Sequence, residues 1–229
     1  MTIDPVKEQL LDAILPHVAF DGWSPSAFNA AVSDADLDPA EAKTHCPRGA
    51  VDLAIAYHAR GDAAMVAALE EADLSDMRFR DKVAHALRLR IRAIGDKEAV
   101  RRGTALFSLP HMAADGSKLI WGTADAIWTA LDDPSRDINW YTKRMTLSGV
   151  YGSVVLYWLG DDSFEAQATD DFIDRRIDDV MQFEKVKAQV RNNPLLKPVT
   201  GPLSKMLSGV KAPSKMARSD LPGMWRDPT

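Results

Sequence analysis

The sequence predicts an all-α protein, a helical bundle with a helix-turn-helix-like N-terminal subdomain and a larger helical portion. Three observations favour this class. Apolar residues recur at helical spacing through most of the 229 residues. Three segments place an oxygen-bearing cap before proline at the first helical position, which is typical of helix starts, namely Asp4-Pro5, Ser24-Pro25 and Asp38-Pro39. No convincing run of alternating strand residues is present in the sequence.

The first four predicted helices have the lengths expected of a helix-turn-helix unit. A helix near 5–19 is followed by two short helices near 25–33 and 39–45. A fourth helix begins near residue 50 and is expected to end before Gly61, because glycine weakens a helix interior. One long helix, two short ones and another long one is the spacing of a helix-turn-helix. Residues 1–60 are therefore the predicted N-terminal subdomain.

Six longer helices are predicted beyond Gly61, and they make residues 61–192 the larger helical portion. Their approximate ranges are 62–74, 76–94, 96–108, 116–131, 137–159 and 163–192. Prolines interrupt residues 193–229, so this segment is expected to be a tail that contains only a short amphipathic helix. The apolar stripe of that helix and its flanking lysines are Leu203, Lys205, Met206, Leu207, Val210 and Lys211.

The net charge of −5 is distributed unevenly along the chain. From residue 190 onward seven basic and two acidic residues give +5, which leaves −10 for residues 1–189. A basic tail is attracted to anionic surfaces, so the tail is a candidate for contact with an anionic membrane surface. The single cysteine, Cys46, excludes an internal disulfide framework, and the first residues show no secretory signal. We therefore expect a reducing compartment.

The motifs that usually indicate catalysis are missing from the sequence. It contains no phosphate loop, no glycine fingerprint for dinucleotides and no nucleophile elbow. Its five histidines lack the spacing of zinc ligands, and no Glu-x-x-His pair is present. We therefore expect a protein that is not an enzyme, with no catalytic residue and no metal site.

The predicted helices at 116–131 and 137–159 are rich in aromatic residues. The sixteen residues from Met145 to Gly160 include no charged side chain, but they fall short of the roughly 20 apolar residues that span a bilayer. A helix that is apolar on all sides is surrounded by other helices, by a partner subunit or by an apolar ligand. Periodicity alone favours an ordinary core or a dimer interface over a ligand cavity for this helix.

One block at the start of the second aromatic helix carries a family resemblance. The run from Asp137 to Arg144, Asp-Ile-Asn-Trp-Tyr-Thr-Lys-Arg, resembles the signature of the coenzyme Q biosynthesis protein nine family. Further matches are Arg80-Asp81, Leu87-Arg88, Leu109-Pro110-His111 and the Asp125-x-x-Trp128 motif. The similarity spans roughly residues 5–190 and is strongest between residues 80 and 145.

The resemblance implies a TetR-regulator-like helical fold that serves as a lipid-binding accessory protein of ubiquinone biosynthesis. Such proteins bind ubiquinone or its polyprenylated precursors in an apolar cavity and present the precursor to the demethoxyubiquinone hydroxylase. They form homodimers and contact membranes through a C-terminal amphipathic helix. The implied location is cytoplasmic, at the periphery of a bacterial inner membrane or its mitochondrial equivalent. No cofactor is implied, and the bound molecule would be an isoprenoid quinone or a phospholipid.

Three sets of residues follow from the resemblance together with the aromatic pattern. The implied hydroxylase-binding residues are Asp125, Ile127, Trp128, Trp140, Tyr141 and Arg144. The expected lipid-binding residues are Leu106, Trp121, Met145, Val150, Tyr151, Val154 and Trp158. The membrane-binding residues are the six named above in the tail.

Two other functions compete with this interpretation. One is a TetR-type transcriptional repressor that senses a ligand, and the other is a dimerisation module without a ligand. Residues 1–60 contain nine acidic and four basic residues, a charge of −5 that disfavours contact with DNA phosphates. The would-be recognition helix offers only Glu41 and Lys43 for contacts with bases. We therefore expect no nucleic-acid partner.

Overall fold

The computed structural model describes residues 4–192 and 211–213, and the described chain confirms the all-α class. Its nine α-helices are α1 (Pro5–Asp21), α2 (Pro25–Asp34), α3 (Pro39–His45), α4 (Ala50–Glu71), α5 (Phe79–Arg92), α6 (Lys97–Phe107), α7 (Ala113–Ala130), α8 (Ile138–Leu159) and α9 (Gln167–Asn192). A 3₁₀ turn at Phe164–Ala166 precedes α9.

The three predicted helix starts are confirmed by their hydrogen bonds. The side chains of Asp4, Ser24 and Asp38 accept hydrogen bonds from backbone amides at 2.9, 3.2 and 2.8 Å, at the starts of α1, α2 and α3. Each cap satisfies an amide that has no partner within the helix, and proline follows where no such amide is needed. Local sequence therefore fixes where the first three helices begin.

Two hydrophobic cores organise the fold, and α4 belongs to both. The first core joins α1, α2, α3 and the first half of α4, and its fully buried side chains include Leu10, Ile14 and Leu53. The second core joins the rest of α4 to α5, α7, α8 and α9, and its fully buried side chains include Met65, Leu87, Ile127, Val154 and Ile173.

The helix end predicted before Gly61 is wrong, because α4 continues through this residue to Glu71. A Cβ atom added to Gly61 would lie 2.6 Å from Nη1 of Arg90 on α5. Glycine is used here because the Arg90 guanidinium approaches the helix backbone closely, and not because the helix stops. The predicted division between residues 60 and 61 thus falls inside a continuous helix.

The aromatic helix α8 is buried on one side only by the described residues. Leu147, Tyr151 and Val154 are buried in the second core, whereas Met145 and Leu156 are 61% and 63% exposed. The expectation of a helix enclosed on all sides is therefore not met within this part of the chain. Neither α8 nor any other described helix combines the length and apolar character that crossing a bilayer requires.

Candidate functional site

A cavity of about 890 Å³ lies where the two hydrophobic cores meet. Its wall is built from α1, α4, the end of α5, the connection between α5 and α6, and helices α6, α7 and α8. Ten of its 28 lining residues are glycine or alanine, so the space exists because small side chains meet there. A volume of this size suits a molecule of several hundred daltons or a segment of a longer chain.

Most of the cavity wall is apolar, and the cavity reaches the surface. Ile94, Val100, Phe107, Ile120 and Val155 contribute aliphatic and aromatic surface. Six lining residues on several of these elements are exposed, namely Ala64, Gly95, Ser108, Ala113, Ser117 and Leu156, so the cavity is open to the surface. An apolar chain could therefore lie in the cavity and leave it toward solvent or a membrane.

A cluster of polar side chains lies at the wall of this cavity. We call it the polar cluster: His58, Arg90 and Tyr151 line the cavity, and Asp62 and Thr123 are hydrogen-bonded to them. Arg90 donates from Nε to Oδ1 of Asp62 at 2.6 Å and from Nη2 to the His58 carbonyl at 3.1 Å. The Arg90 guanidinium carbon lies 5.6 Å from the centroid of the Tyr151 ring, a cation–π contact. Both side chains are buried, with 2% of each residue exposed.

Burial keeps His58 neutral, and the hydrogen bonds of Thr123 indicate which ring nitrogen carries the proton. The Thr123 hydroxyl donates to Oδ1 of Asp62 at 2.8 Å, so its oxygen is left to accept from Nε2 of His58, also at 2.8 Å. Burial lowers the pKa of His58 to about 4; nearby Asp62 opposes this shift and Arg90 adds to it. His58 is therefore neutral at pH 7, and the Nε2 proton donates to Thr123.

Two aromatic residues join the cavity wall to the start of α6. The Tyr57 hydroxyl donates to the Asp96 carbonyl at 3.3 Å and accepts from the Asp96 amide at 3.1 Å. The Trp23 indole donates from Nε1 to the Ala99 carbonyl at 3.0 Å. These bonds hold α6 against the first core, and they satisfy the polar atoms of two rings that line the cavity.

The structure places one of the seven expected lipid-binding residues, Tyr151, in the cavity wall. Leu106 packs on the first core, Trp121 lies 6.1 Å from Trp140 between ring centroids, and Met145 is 61% exposed. Val150, Val154 and Trp158 are packed inside the second core. Sequence reasoning missed the wall residues on α4 and α6, where the signal was a series of glycines and alanines rather than aromatic residues.

The residues with an implied role in hydroxylase binding surround a buried network of charges. Arg144 donates from Nε to Asp125 at 2.5 Å and from Nη1 to Asp133 at 3.3 Å. Lys143 contacts the same Asp133 at 2.7 Å. Asp133 is almost fully buried, and its pKa is lowered because hydrogen bonds from Lys143 and Ser135 outweigh the effect of burial, which raises it.

Only some of these residues can form a surface. Ile127 is fully buried, and Trp128 and Arg144 have 9% and 3% of their surface exposed. Asp125, Trp140 and Tyr141 are partly exposed and lie around them. Asp125, Trp140 and Tyr141 therefore form the surface patch that is available for contact. The buried residues Ile127, Trp128 and Arg144 support this patch from inside the protein.

Of the six tail residues expected to bind a membrane, Leu203, Lys205, Met206, Leu207 and Val210 lie outside the described residues. Lys211 is described, and it is exposed next to the start of α8. Its carbonyl accepts a hydrogen bond of 3.5 Å from the Tyr141 hydroxyl, and the Ala212 amide donates to the Arg136 carbonyl at 2.9 Å. The described piece of the tail thus lies against the patch formed by Trp140 and Tyr141.

Comparison with known proteins gives both a fold neighbour and a family. The crystal structure of a TetR transcriptional regulator from Nitrosomonas europaea superposes with a TM-score of 0.63 at 17% identity, covering 76% of this chain and 97% of that one. This likeness shows a TetR-like fold. The COQ9 family model matches residues 113–184, which include α7, α8 and the start of α9. This chain is therefore similar to the COQ9 proteins.

The similarity to individual COQ9 proteins extends over most of the chain. The mitochondrial ubiquinone biosynthesis protein COQ9 of Bos taurus is 26% identical over 200 residues, and that of Rattus norvegicus is 27% identical over 200 residues. The Homo sapiens protein of the same name is 26% identical. Each alignment covers 82% of this chain but 61%, 63% and 62% of the respective COQ9 protein, so the chain spans about three fifths of the length of these relatives.

Proposed function

We propose that this chain serves ubiquinone biosynthesis as a non-catalytic protein that holds a polyprenylated quinone precursor and presents it to the demethoxyubiquinone hydroxylase. The observation that carries the proposal is the cavity of about 890 Å³ with its largely apolar wall. Similarity to proteins named for ubiquinone biosynthesis supplies the biological context. The proposed location is the periphery of a bacterial inner membrane or its mitochondrial equivalent.

The physics of an isoprenoid chain explains why such a protein needs a cavity that exists before binding. Each methylene group moved from water into an apolar site gains about 0.8 kcal/mol, so a free polyprenyl chain is nearly insoluble. Moving the chain from a bilayer into a protein gains very little, because both surroundings are apolar. A carrier therefore cannot depend on the hydrophobic effect to open its own binding site at the membrane, and small residues such as Gly103 and Gly152 keep the space open.

Two glycines of α8 provide a matched test of the cavity. Gly152 lines the cavity, whereas a Cβ atom on Gly149 would meet open space outside it. Gly152→Leu should fill part of the cavity, and Gly149→Leu should add the same side chain to the same helix without doing so. Solvent extracts of the purified proteins, analysed by mass spectrometry, should contain an isoprenoid quinone or precursor for the natural chain and Gly149→Leu only. An equal yield from all three would reject the cavity as the binding site.

Contact with the membrane is proposed to occur through the basic tail. Lysines attract anionic headgroups, and an apolar stripe flanked by lysines can lie at the boundary between headgroups and acyl chains. The full chain should co-sediment with vesicles that contain anionic phospholipid, and deletion of residues 197–229 should abolish this. Unchanged sedimentation after the deletion would reject the tail as the attachment site.

Binding of the hydroxylase is proposed at the patch around Trp140 and Tyr141. Tyr141→Ala should weaken the binding of purified hydroxylase while leaving the helical content unchanged. Phe164→Ala is the control, because Phe164 is an aromatic residue that is 84% exposed elsewhere on the surface. Equal affinity of both variants would reject the patch.

A homodimer is part of the proposal, with α8 as the candidate interface. Met145, Leu156 and Tyr157 expose 61%, 63% and 38% of their surface on this helix. An exposed apolar patch of this kind is typical of an interface between subunits. Met145→Glu should shift the mass measured by light scattering toward the monomer, and an unchanged dimer would exclude this face.

A transcriptional repressor is the second candidate, favoured by the TetR-like fold. The basic side chains of the N-terminal subdomain are largely engaged within the protein, which weakens this candidate. Arg48 binds Asp52 and Asp115, Arg60 binds Glu8 and Asp12, and Lys43 lies over the ring of Phe28. A gel shift with genomic fragments should show no specific complex at moderate salt, whereas a tight specific complex would favour the repressor.

A further inference from the structure

A short piece of the tail, Lys211–Pro213, is held against the start of α8 by a single peptide group. The Ala212 amide donates to the Arg136 carbonyl at 2.9 Å, and the Lys211 carbonyl accepts a longer hydrogen bond of 3.5 Å from the Tyr141 hydroxyl. The Lys211 carbonyl and the Ala212 amide belong to the same peptide unit and point in opposite directions. This unit therefore bridges the loop before α8 and the first turn of the helix.

The sequence of this piece suits docking through the backbone. Ala212 is partly buried, whereas Lys211 and Pro213 on either side of it are exposed. The small side chain of Ala212 lets the two backbones approach closely, and Pro213 restricts the residue before it to an extended conformation. Pairing of main-chain groups with an extended segment is a common way for a folded domain to bind a peptide.

The distribution of charge brings the tail to the body of the protein. From residue 190 onward the chain carries +5, and residues 1–189 carry −10. The two parts attract each other, and the covalent tether keeps the tail at a high effective concentration near the body. Anionic lipid attracts the same basic tail, so a membrane surface and the body compete for it.

The side chain that holds the docked piece belongs to the patch proposed to bind the hydroxylase. The rings of Tyr141 and Trp140 meet edge to face, with their centroids 4.8 Å apart. The Tyr141 hydroxyl has one proton, and while it donates to Lys211 it cannot donate to another protein. The docked piece and a partner that contacts Tyr141 therefore exclude each other.

We infer that Lys211–Pro213 is an internal competitor for the patch of Asp125, Trp140 and Tyr141. When it is docked it withholds Tyr141 from a protein partner, and its release makes the patch accessible. The inference rests on the proposed function, in which this patch binds the hydroxylase and the tail binds anionic lipid. It deepens that function by coupling the two events, because movement of the tail to lipid vacates the patch. The patch is thus more accessible at a membrane than in solution.

Two pairs of cysteines test the docking in the full chain. The docking pair is Arg136→Cys with Ala212→Cys, whose backbones are joined by the bond of 2.9 Å and lie within the reach of a disulfide. The control pair is Asp162→Cys with Ala212→Cys. Asp162 is exposed and follows the far end of α8, a helix of 22 residues that is about 33 Å long.

Disulfide formation in oxidised glutathione is followed on non-reducing gels, with the linked peptides identified by mass spectrometry. The docking pair should close within one chain, about tenfold faster than the control pair or more, because docking raises the effective concentration of one thiol near the other. Equal rates for the two pairs, or a disulfide that links two chains, would overturn the docking.

The oxidised docking pair tests the competition for the patch. For a partner that binds only the undocked form, the apparent Kd is the intrinsic Kd divided by the undocked fraction. The oxidised protein should therefore bind purified hydroxylase about tenfold more weakly than the reduced protein, or weaker still. Reduction with dithiothreitol should restore the affinity. Equal affinities before and after reduction would overturn the competition.

A variant of the tail alone tests the opposite change. Ala212→Pro removes the amide that donates to Arg136, so the docked form loses its shorter hydrogen bond. The affinity for the hydroxylase should rise about threefold, since one hydrogen bond of this kind changes an equilibrium by roughly that factor. Ala212→Ser is the control, because it keeps the amide, and it should bind as the natural chain does. An unchanged affinity for Ala212→Pro would also overturn the competition.

Vesicles test the coupling to the membrane. Vesicles of phosphatidylcholine with phosphatidylglycerol should slow disulfide formation in the docking pair about threefold or more, because lipid holds the tail away from the body. Vesicles of phosphatidylcholine alone should leave the rate unchanged. If the protein co-sediments with the anionic vesicles but the rate does not change, the coupling is overturned while membrane contact stands.

The failure of this inference is distinguishable from the failure of the proposed function. If the hydroxylase binds none of the proteins, including Ala212→Pro and the reduced docking pair, the proposed partner is wrong and the competition for it falls as well. The rates of disulfide formation decide the docking in either case, because they require no partner. If the hydroxylase binds the oxidised and the reduced docking pair equally, the proposed partner stands and only the competition is overturned.

Discussion

The guanidinium carbon of Arg144 lies 3.9 Å from the centroid of the Trp140 ring, one helical turn earlier on α8. The same guanidinium donates to Asp125 at 2.5 Å and to Asp133 at 3.3 Å, and it donates to the Trp140 carbonyl at 3.2 Å. Arg144 thus connects the start of α8 to α7 and to the loop between them. A planar guanidinium can bind two carboxylates and stack on an indole at once, which a lysine ammonium cannot do.

Arg144→Met should destabilise the protein strongly. The variant keeps the volume of the side chain but leaves Asp133, a carboxylate that is 1% exposed, with Lys143 and Ser135 as its remaining side-chain partners. Removing one partner of a buried ion pair typically costs about 3–5 kcal/mol. Urea unfolding, followed by circular dichroism, should show a free energy of unfolding lowered by about this amount.

Arg78→Met is the matched control for this measurement. Arg78 pairs with Asp81 at 2.7 Å, but its side chain is 76% exposed, and an exposed pair contributes about 0–1 kcal/mol. If Arg144→Met lowered the free energy of unfolding no more than Arg78→Met does, the buried network of charges would not stabilise the fold. The patch around Trp140 would then have to be held in place by other contacts.

The fold was largely predictable because its helix starts are encoded locally. Asp4, Ser24 and Asp38 form their capping bonds with residues two or three positions away, so a single sequence contains all the information needed. The continuation of α4 through Gly61 was not predictable in this way. The reason for this glycine is Arg90, which is 29 residues further along the chain and meets it only in the folded protein.

The candidate site was much less predictable than the fold. A cavity is a gap between elements, and it leaves no periodic signal in the sequence. Reasoning from aromatic content led to Trp121 and Trp158, but large rings fill space, and they pack against Trp140 and inside the second core. The wall depends instead on small residues such as Gly103 and Gly152, which leave the space open.

Gly61→Ala should destabilise the protein and disturb the polar cluster. The new methyl group would lie 2.6 Å from Nη1 and 2.8 Å from Cζ of Arg90, a buried group whose position is fixed by Asp62. Forcing extra volume into a packed interior typically costs about 1–3 kcal/mol. We expect a lower free energy of unfolding in urea.

Gly122→Ala provides the opposite expectation within the same fold. Gly122 lies inside α7, and a Cβ atom there would have no neighbour within 4 Å. Alanine in a helix interior is favoured over glycine by about 0.5–1 kcal/mol, so this variant should be slightly more stable than the natural chain. If Gly61→Ala were also stabilising, the close approach of Arg90 to α4 would be refuted.

The stability of the protein should depend on pH through His58. The pKa of this residue is lowered from 6.5 to about 4, because burial disfavours the charged imidazole. Between these two values the unfolded chain binds a proton at His58 and the folded chain does not, so stability falls as the pH falls. The free energy of unfolding is unaffected by His58 above about pH 6.5. It falls progressively as the pH is lowered toward 4, by up to about 3 kcal/mol.

His58→Gln isolates this effect, because glutamine retains an Nε2 donor for Thr123 and does not titrate. The natural chain should lose its advantage over the variant as the pH falls from 6.5 to 4, when both are unfolded in urea at each pH. His111→Gln is the control, since His111 lies at the surface in the connection between α6 and α7. Its stability should follow that of the natural chain at every pH. If the free energies of unfolding of the natural chain and His58→Gln differed by the same amount at every pH in this range, the pKa of His58 would be the same in the folded and the unfolded chain. That result would contradict the lowered pKa of His58.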